Sequence, residues 1–195
     1  MQLTPLTAQL HDVSLAPLAA DDREALRLAA ADPALFTYWP RTMTPELWDQ
    51  NFDWMLAEQA AGRWLFHTVR NTHGEVLGQT CYLAIRPEHR GVEIGGTWYV
   101  ASAHGTRVNP ICKFALLDHA FACGAERIEL KTDARNARSR AAILKLGASF
   151  EGIFRRHLLL PNGQWRDTAW YSILREEWPN VKAGLEARFS PQTLA

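Results

Sequence analysis

The run Val92-Glu-Ile-Gly-Gly-Thr-Trp-Tyr-Val100 is strand-like, yet Gly95 and Gly96 fall inside it. Paired glycines weaken a strand and mark a bulge, or a place where another molecule comes close to the backbone. A short loop, Ser102–Val108, then leads to Asn109-Pro110, which reads as the N-cap and first residue of a helix. A helix start holds unpaired N–H groups at the positive end of the helix dipole. Together these features fit a ligand with an extended part that pairs with backbone and an anionic part on the helix N-terminus. A twisted strand with an ordinary turn fits the same residues, and taken alone they favour that plainer reading. Other chemistry is scarce. Seven His and three Cys show no metal-ligand spacing, so no metal is expected. Cys112 and Cys123 lie on an apolar helical stretch that does not suit a nucleophile. The chain has no P-loop, nucleophile elbow or dinucleotide fingerprint.

Alternating helix and strand signals must position these residues. His11–Leu18 predicts a first strand, with Val13 and Leu15 alternating. Asp21 and Glu24 form a capping-box-like start to a helix whose apolar side carries Leu26 and Ala29. Thr44-Pro45 predicts a second helix start, followed by Trp48, Phe52 and Met55 on one face. Three strands follow, Arg63–Arg70, Glu75–Ile85 and Gly91–Ala101, and the link Asn71–Gly74 suits a hairpin. The helix Pro110–Cys123 is apolar nearly all round, so burial is expected, and Gly124 stands where a C′ glycine belongs. Arg127–Asp133 alternates as a strand, and a helix of roughly Asn136–Leu146 stops at Gly147. Phe150–Leu160 and Trp165–Leu174 flank an Asn-Gly turn, a strong hairpin signal, and a last helix carries Trp178, Val181, Leu185 and Phe189. The fold class is α+β, with a mixed, mostly antiparallel sheet and one parallel pairing from a strand–helix–strand unit.

The 195 residues suit one domain, expected over 10–189, with tails at 1–9 and 190–195. Lys+Arg and Asp+Glu both number 21, which argues against bulk electrostatic binding to nucleic acid or a membrane surface. Residues 1–15 hold no Lys or Arg and no apolar stretch of the kind a secretory signal needs. No apolar run approaches the roughly 18 residues that span a bilayer. Three unpaired-looking cysteines, Cys81, Cys112 and Cys123, suit a reducing compartment, so a cytoplasmic location is expected.

Several separate short stretches then carry a family likeness. They are Val92-Glu-Ile-Gly95 with Trp98-Tyr99, Val108-Asn109 with Lys113, Glu129-Leu-Lys-Thr-Asp133, and Asn136 with Ser139 leading to Lys145-Leu-Gly147. Phe150-Glu-Gly152, Arg166-Asp-Thr168 with Tyr171-Ser172, and Glu177-Trp178 complete them. In this order they resemble the GNAT superfamily of acetyl-CoA-dependent N-acetyltransferases. Within it they are most similar to the Rim-type branch, which acetylates N-terminal amines of ribosomal proteins and related substrates. The resemblance covers residues 10 to 189. It implies a GNAT-like sheet splayed between its fourth and fifth strands and flanked by helices, with acetyl-CoA as cosubstrate. Pantetheine would pair with backbone at Trp98, Tyr99 and Val100, and the pyrophosphate would meet the loop His104, Thr106, Arg107, Val108 and Asn109.

This loop departs from the superfamily pattern Q/R-x-x-G-x-G/A at each consensus position, with His104, Arg107 and Asn109. Arg107 could pair with a phosphate, and a backbone N–H cradle does not depend on side-chain identity. The superfamily's usual tyrosine acid is replaced by Ile143. The Rim-like pattern offers Ser139 instead, near Asn136 at the start of its helix, with Tyr171 as a fallback donor. Glu93 is the first choice of general base, with Asp133 and His104 as other options. A backbone N–H at Tyr99 would stabilise the oxyanion. Arg135, Arg138 and Arg140 could meet a CoA phosphate, and Tyr38 and Trp39 would line the acceptor side. The expected acceptor is a primary amine, a protein or peptide N-terminus. A small-molecule acetyltransferase and a silent acyl-CoA-binding module are the alternatives. A homodimer through the C-terminal strands or helix is compatible with the sequence.

Overall fold

In the computed structural model, which describes residues 1–189, the alternating stretches form eight strands. They are β1 (Ala8–Leu10), β2 (Val13–Pro17), β3 (Leu65–Asn71), β4 (Val76–Arg86), β5 (Gly91–Tyr99), β6 (Arg127–Asp133), β7 (Ser149–Leu159) and β8 (Trp165–Leu174). The helices are α1 (Arg23–Ala29), α2 (Trp48–Ala60), α3 (Val108–Ala122), α4 (Ala137–Lys145) and α5 (Trp178–Phe189). One sheet runs in the order β1-β2-β3-β4-β5-β6-β8-β7, antiparallel throughout except for the β5–β6 pair. That pair is parallel because α3 returns the chain over the sheet before β6 begins.

The period-2 pattern divides the core between the two faces of the sheet. On one face Val92, Ile94 and Tyr99 pack with α3 and α5. Two aromatic contacts, Phe121 against Trp178 and Phe114 against Phe189, tie these helices together. On the other face Trp98 packs with Phe36, Trp48 and Phe52 from α2 and the segment before it. β1 and β7 are the two edge strands, and β7 is exposed along nearly its whole length.

Residues 1–9, expected as a tail, are part of the fold. Residues 8–10 pair with β2, and Met1, Leu3 and Leu6 rest on the core. The Leu6 N–H donates to His67 Nε2 at 3.1 Å, which satisfies a ring nitrogen of a fully buried histidine. His11, at φ 54°, makes the turn into β2, so the strand predicted from residue 11 begins two residues later. The other expected tail, 190–195, lies outside the described residues. Asp22, next to the expected cap Asp21, accepts from the Ala19 N–H at 3.0 Å. It is buried because it also takes Thr68 and Arg70.

Candidate active site

The β5–β6 ladder has three pairs and stops at Glu93↔Glu129. Beyond that point β5 stays bonded to β4, while β6 stays bonded to β8 as far as Asp133↔Thr168. The two strands therefore part. The cause lies at the paired glycines, where the β4–β5 register shifts and Gly96 adopts φ 51°. A Cβ on Gly96 would stand 2.6 Å from Cys81 Sγ, so a side chain here would need both a left-handed backbone and a displaced Cys81. The gap widens into a cleft of about 800 Å³, within the range of small-molecule sites.

Register decides which backbone groups face the gap. The Val100 N–H donates to Leu77 O at 2.9 Å, and Tyr99 stands opposite Gly78. In an antiparallel ladder bonded and non-bonded pairs alternate, so Tyr99 turns its N–H and C=O away from β4 and into the cleft. Trp98 does the reverse: its carbonyl presses on Gly78, where a Cβ would meet it at 2.1 Å. The Val100 carbonyl is also taken, by the Ala103 N–H. Of the three residues expected to offer backbone pairing, only Tyr99 turns its N–H and C=O toward the gap, and its C=O is held by His104. Trp98 contributes as a wall of the cleft, and Val100 does not line it.

The loop before α3 follows different positions from those expected. The Thr106 hydroxyl donates to Ala103 O at 2.8 Å and accepts from the Val108 N–H at 3.2 Å. Arg107 turns outward to Asp12, 3.0 Å away, rather than into the cleft. Val108 is buried in the core and begins the helix, which makes Asn109 its second residue rather than its cap. Thr106, Arg107 and Val108 therefore shape the loop and do not line the cleft, whereas His104, Gly105 and Asn109 do. The N–H groups of Gly105, Thr106 and Arg107 carry no hydrogen bond among the described residues. Three consecutive free N–H groups ahead of a helix suit a pyrophosphate. His104 Nε2 must donate to Tyr99 O, at 2.8 Å, so Nδ1 accepts from Arg138 Nη1 at 3.3 Å. This ring links the two lips of the cleft.

Where the strands part, Glu93 meets Lys131 Nζ at 2.8 Å, and Lys131 also pairs with Glu129 and lies over the Trp170 ring. Burial raises the Glu93 pKa, against the pull of Lys131. Ser139 lines the same cleft near the start of α4, where its N–H donates to the capping oxygen of Asn136 at 3.0 Å. No hydrogen bond from its hydroxyl to the helix backbone exists among the described residues, so the hydroxyl is uncommitted. Tyr171 is withdrawn as a donor: it is fully buried, takes Arg140 Nε at 3.0 Å, and does not line the cleft. Asp133 is held by both arms of Arg135, which accounts for its lowered pKa despite burial.

Other cleft residues had no assigned role in the sequence. Lys113, within the stretch Pro110–Leu117 of α3 that is otherwise apolar, is buried without a carboxylate and donates to Thr97 at 2.7 Å and Thr80 at 3.4 Å. Burial lowers its pKa to about 8. A lone lysine among apolar helical positions was the visible signal. Arg166 is buried on β8 with one hydrogen bond, Nη1 to Tyr38 O at 3.3 Å. Burial lowers its pKa, opposed by Asp133 and Glu93. Tyr38 and Trp39 line the cleft as expected, joined by Arg41, which lies over Trp54 at 4.2 Å. No cluster of His, Cys, Asp and Glu that could hold a metal occurs among the described residues. Among them, no helix is long and apolar enough to cross a membrane.

This arrangement has clear relatives. The acetyltransferase (GNAT) domain family matches residues 12–149. A structure from T. thermophilus assigned as an acetyltransferase is 35% identical, covering 97% of this chain and 100% of that one, with TM-score 0.88. A GCN5-related N-acetyltransferase from Brucella melitensis is 27% identical over 98% of this chain and 89% of that one, with TM-score 0.89. RimJ of Mycobacterium smegmatis, solved in complex with CoA-disulfide, is 28% identical over 90% and 88%, with TM-score 0.77. No curated protein matches the chain.

Proposed function

The chain belongs to the GNAT acetyltransferase family and uses acetyl-CoA to acetylate amines, and from that premise we propose that its acceptor is a protein or peptide N-terminus. The observation that carries the acetyl-CoA part of the reading is the parting of β5 from β6 past Glu93, with the Tyr99 N–H turned into the gap. Acetyl-CoA suits this gap because Gly105 at its rim opens a run of free N–H groups that continues through Thr106 and Arg107 and can meet a pyrophosphate, with Arg138 nearby. Similarity to RimJ over most of the chain supports the N-terminal acceptor.

The proposed chemistry is direct transfer in a ternary complex. Glu93 accepts the proton that the acceptor ammonium must lose, and the burial that raises its pKa suits it to that task. The Tyr99 N–H donates to the thioester oxygen as negative charge grows there; one such donor is typically worth roughly 100–1000-fold in rate. Ser139 relays a proton: its hydroxyl donates to the departing sulfur and is reprotonated by the nitrogen of the tetrahedral intermediate, which loses that proton as the amide forms. His104 holds the Tyr99 carbonyl and must yield it if pantetheine is to pair there.

The domain is proposed to span 10–189 together with the packed N-terminal residues, in the cytoplasm. A second copy is proposed on the exposed β7–β8 surface, where Phe150, Phe154, Leu159 and Trp165 are open to solvent. Sedimentation would read a dimer, and a monomer at all concentrations would remove it. The acceptor is tested by mass spectrometry of a peptide and small-amine panel incubated with protein and acetyl-CoA. Acetylation of peptide N-termini is expected; acetylation of small amines alone would replace this reading.

A further inference from the structure

The cleft holds more positive charge than a neutral chain would lead one to expect. Arg41, Lys113, Lys131, Arg135, Arg138 and Arg166 line it, against only two carboxylates, Glu93 and Asp133. Both carboxylates are already committed, Glu93 to Lys131 and Asp133 to Arg135. Arg138 sits at the His104 lip with the free N–H groups, where CoA phosphates would accumulate. Arg166 stands elsewhere. It lies on β8 two residues before Thr168, the partner of Asp133, and its Nη1 reaches across to Tyr38.

Arg166 is 7% exposed, forms no ion pair among the described residues, and its buried Nε has no hydrogen-bond partner. Five N–H donors with a single bond to a carbonyl is an unusual state for a buried guanidinium. A buried cation without an anion costs several kcal/mol, and proteins keep such groups where a ligand supplies the missing partner. The charges of Lys131 and Arg166 also help hold the neighbouring His157 below its ordinary pKa, after burial.

We infer that Arg166 anchors a carboxylate carried by the acceptor, beside the amine that is acetylated. The planar fork of a guanidinium matches a two-oxygen, singly charged group. A dianionic phosphate suits the place less, because Glu93 and Asp133 are close enough for their charges to act on Arg166. The same nearness sets the acceptor's carboxylate at the end of the cleft that holds the proposed base. Two sources offer this chemistry: the α-carboxylate of a free amino acid, and an Asp or Glu side chain next to a peptide N-terminus. The inference rests on the amine-acceptor reading above. It also disfavours polycationic acceptors such as polyamines.

Matched pairs test it. Peptides with Glu or Gln at the second residue, and free amino acids with their carboxamides, are incubated with the protein and acetyl-CoA, and product is read by mass spectrometry. The wild type is expected to favour the carboxylate member by about tenfold to hundredfold in kcat/KM. In Arg166→Gln the ratio within a pair falls toward one, and Arg166→Lys keeps part of it. Preference in the peptide pairs alone assigns the side chain, and preference in the amino-acid pairs alone assigns the α-carboxylate. Equal rates within every wild-type pair, or a preference that survives Arg166→Gln, overturn the inference and leave the amine acceptor standing. If no amine is acetylated, that acceptor reading fails, and the carboxylate anchor is read separately. The Glu and Gln peptides are titrated by calorimetry into protein saturated with CoA. The amino acids and their carboxamides are titrated in the same way; tighter binding of the carboxylate member of either pair that Arg166→Gln removes supports the anchor, and binding indifferent to the carboxylate, or absent, in both kinds of pair refutes it.

Discussion

Replacing Lys113 by methionine should stabilise the protein at neutral pH and cease to do so in alkali. An ordinary lysine titrates near 10.5, whereas burial brings Lys113 to about 8. The folded state therefore holds the ammonium less well than the unfolded chain does. Below pH 8 both states carry the charge, and folding bears a penalty of about 3 kcal/mol. Between pH 8 and 10.5 the folded protein releases the proton first, so the penalty fades. Methionine has no charge to bury and similar length, but it forfeits the bonds to Thr97 and Thr80. Each such bond is worth roughly 1 kcal/mol, so the net gain at pH 7 should be about 1–2 kcal/mol. The sharper quantity is the change with pH. Between pH 7 and pH 10 wild type should gain about 2.5 kcal/mol relative to Lys113→Met, since other titrating groups cancel in the difference. Urea unfolding of both proteins at the two pH values measures it. A stability difference that stays constant with pH would refute the account of Lys113 as a buried, unpaired cation.

Other perturbations follow from the same geometry. Ser139→Ala should lower kcat by about 10–100-fold with little change in CoA affinity; equal turnover would remove Ser139 as the acid. With Glu93 as base, kcat/KM should fall as pH drops through a carboxylate pKa lying above the ordinary value of 4.5. Glu93→Gln should abolish that acid limb along with most of the rate, and a limb that persists would point to another base. Gly78→Ala must drive a Cβ against the Trp98 carbonyl, 2.1 Å away on unyielding backbone. Its cost should be on the order of 3 kcal/mol in urea unfolding, and a loss below about 0.5 kcal/mol would show that β4 and β5 are not locked at this point.

Much of this architecture was legible in local sequence because local rules govern it. The bounds of β6 and β8 match the alternation of Ile128, Leu130 and Thr132 and the Asn-Gly turn. The split itself was foreshadowed by Gly95-Gly96, since Gly96 combines a left-handed backbone with no room for a Cβ beside Cys81. What escaped were features set by distant partners. The role of residues 1–9 depends on His67 and β2, which no local pattern reveals. Arg107 was drawn from the expected phosphate site by Asp12, far away in the chain and next to it in space. Asn109-Pro110 signals a helix start correctly, but Thr106 caps the loop and moves the first turn to Val108. Which of Trp98, Tyr99 and Val100 faces the cleft is a question of ladder register, fixed by the Val100–Leu77 bond. Arg166 lay within a recognised motif, yet its lack of an anion is visible only once Asp133 and Glu93 are seen with other partners.

The central claim is that the gap between β5 and β6 receives CoA along the Tyr99 backbone. Calorimetric titration of the protein with CoA, repeated with Gly96→Val, addresses it most directly. One CoA per chain is predicted for wild type, with binding lost in a folded Gly96→Val protein because its side chain distorts the bulge that parts the strands. Absence of CoA binding to wild type, or undiminished affinity in the folded variant, would contradict it.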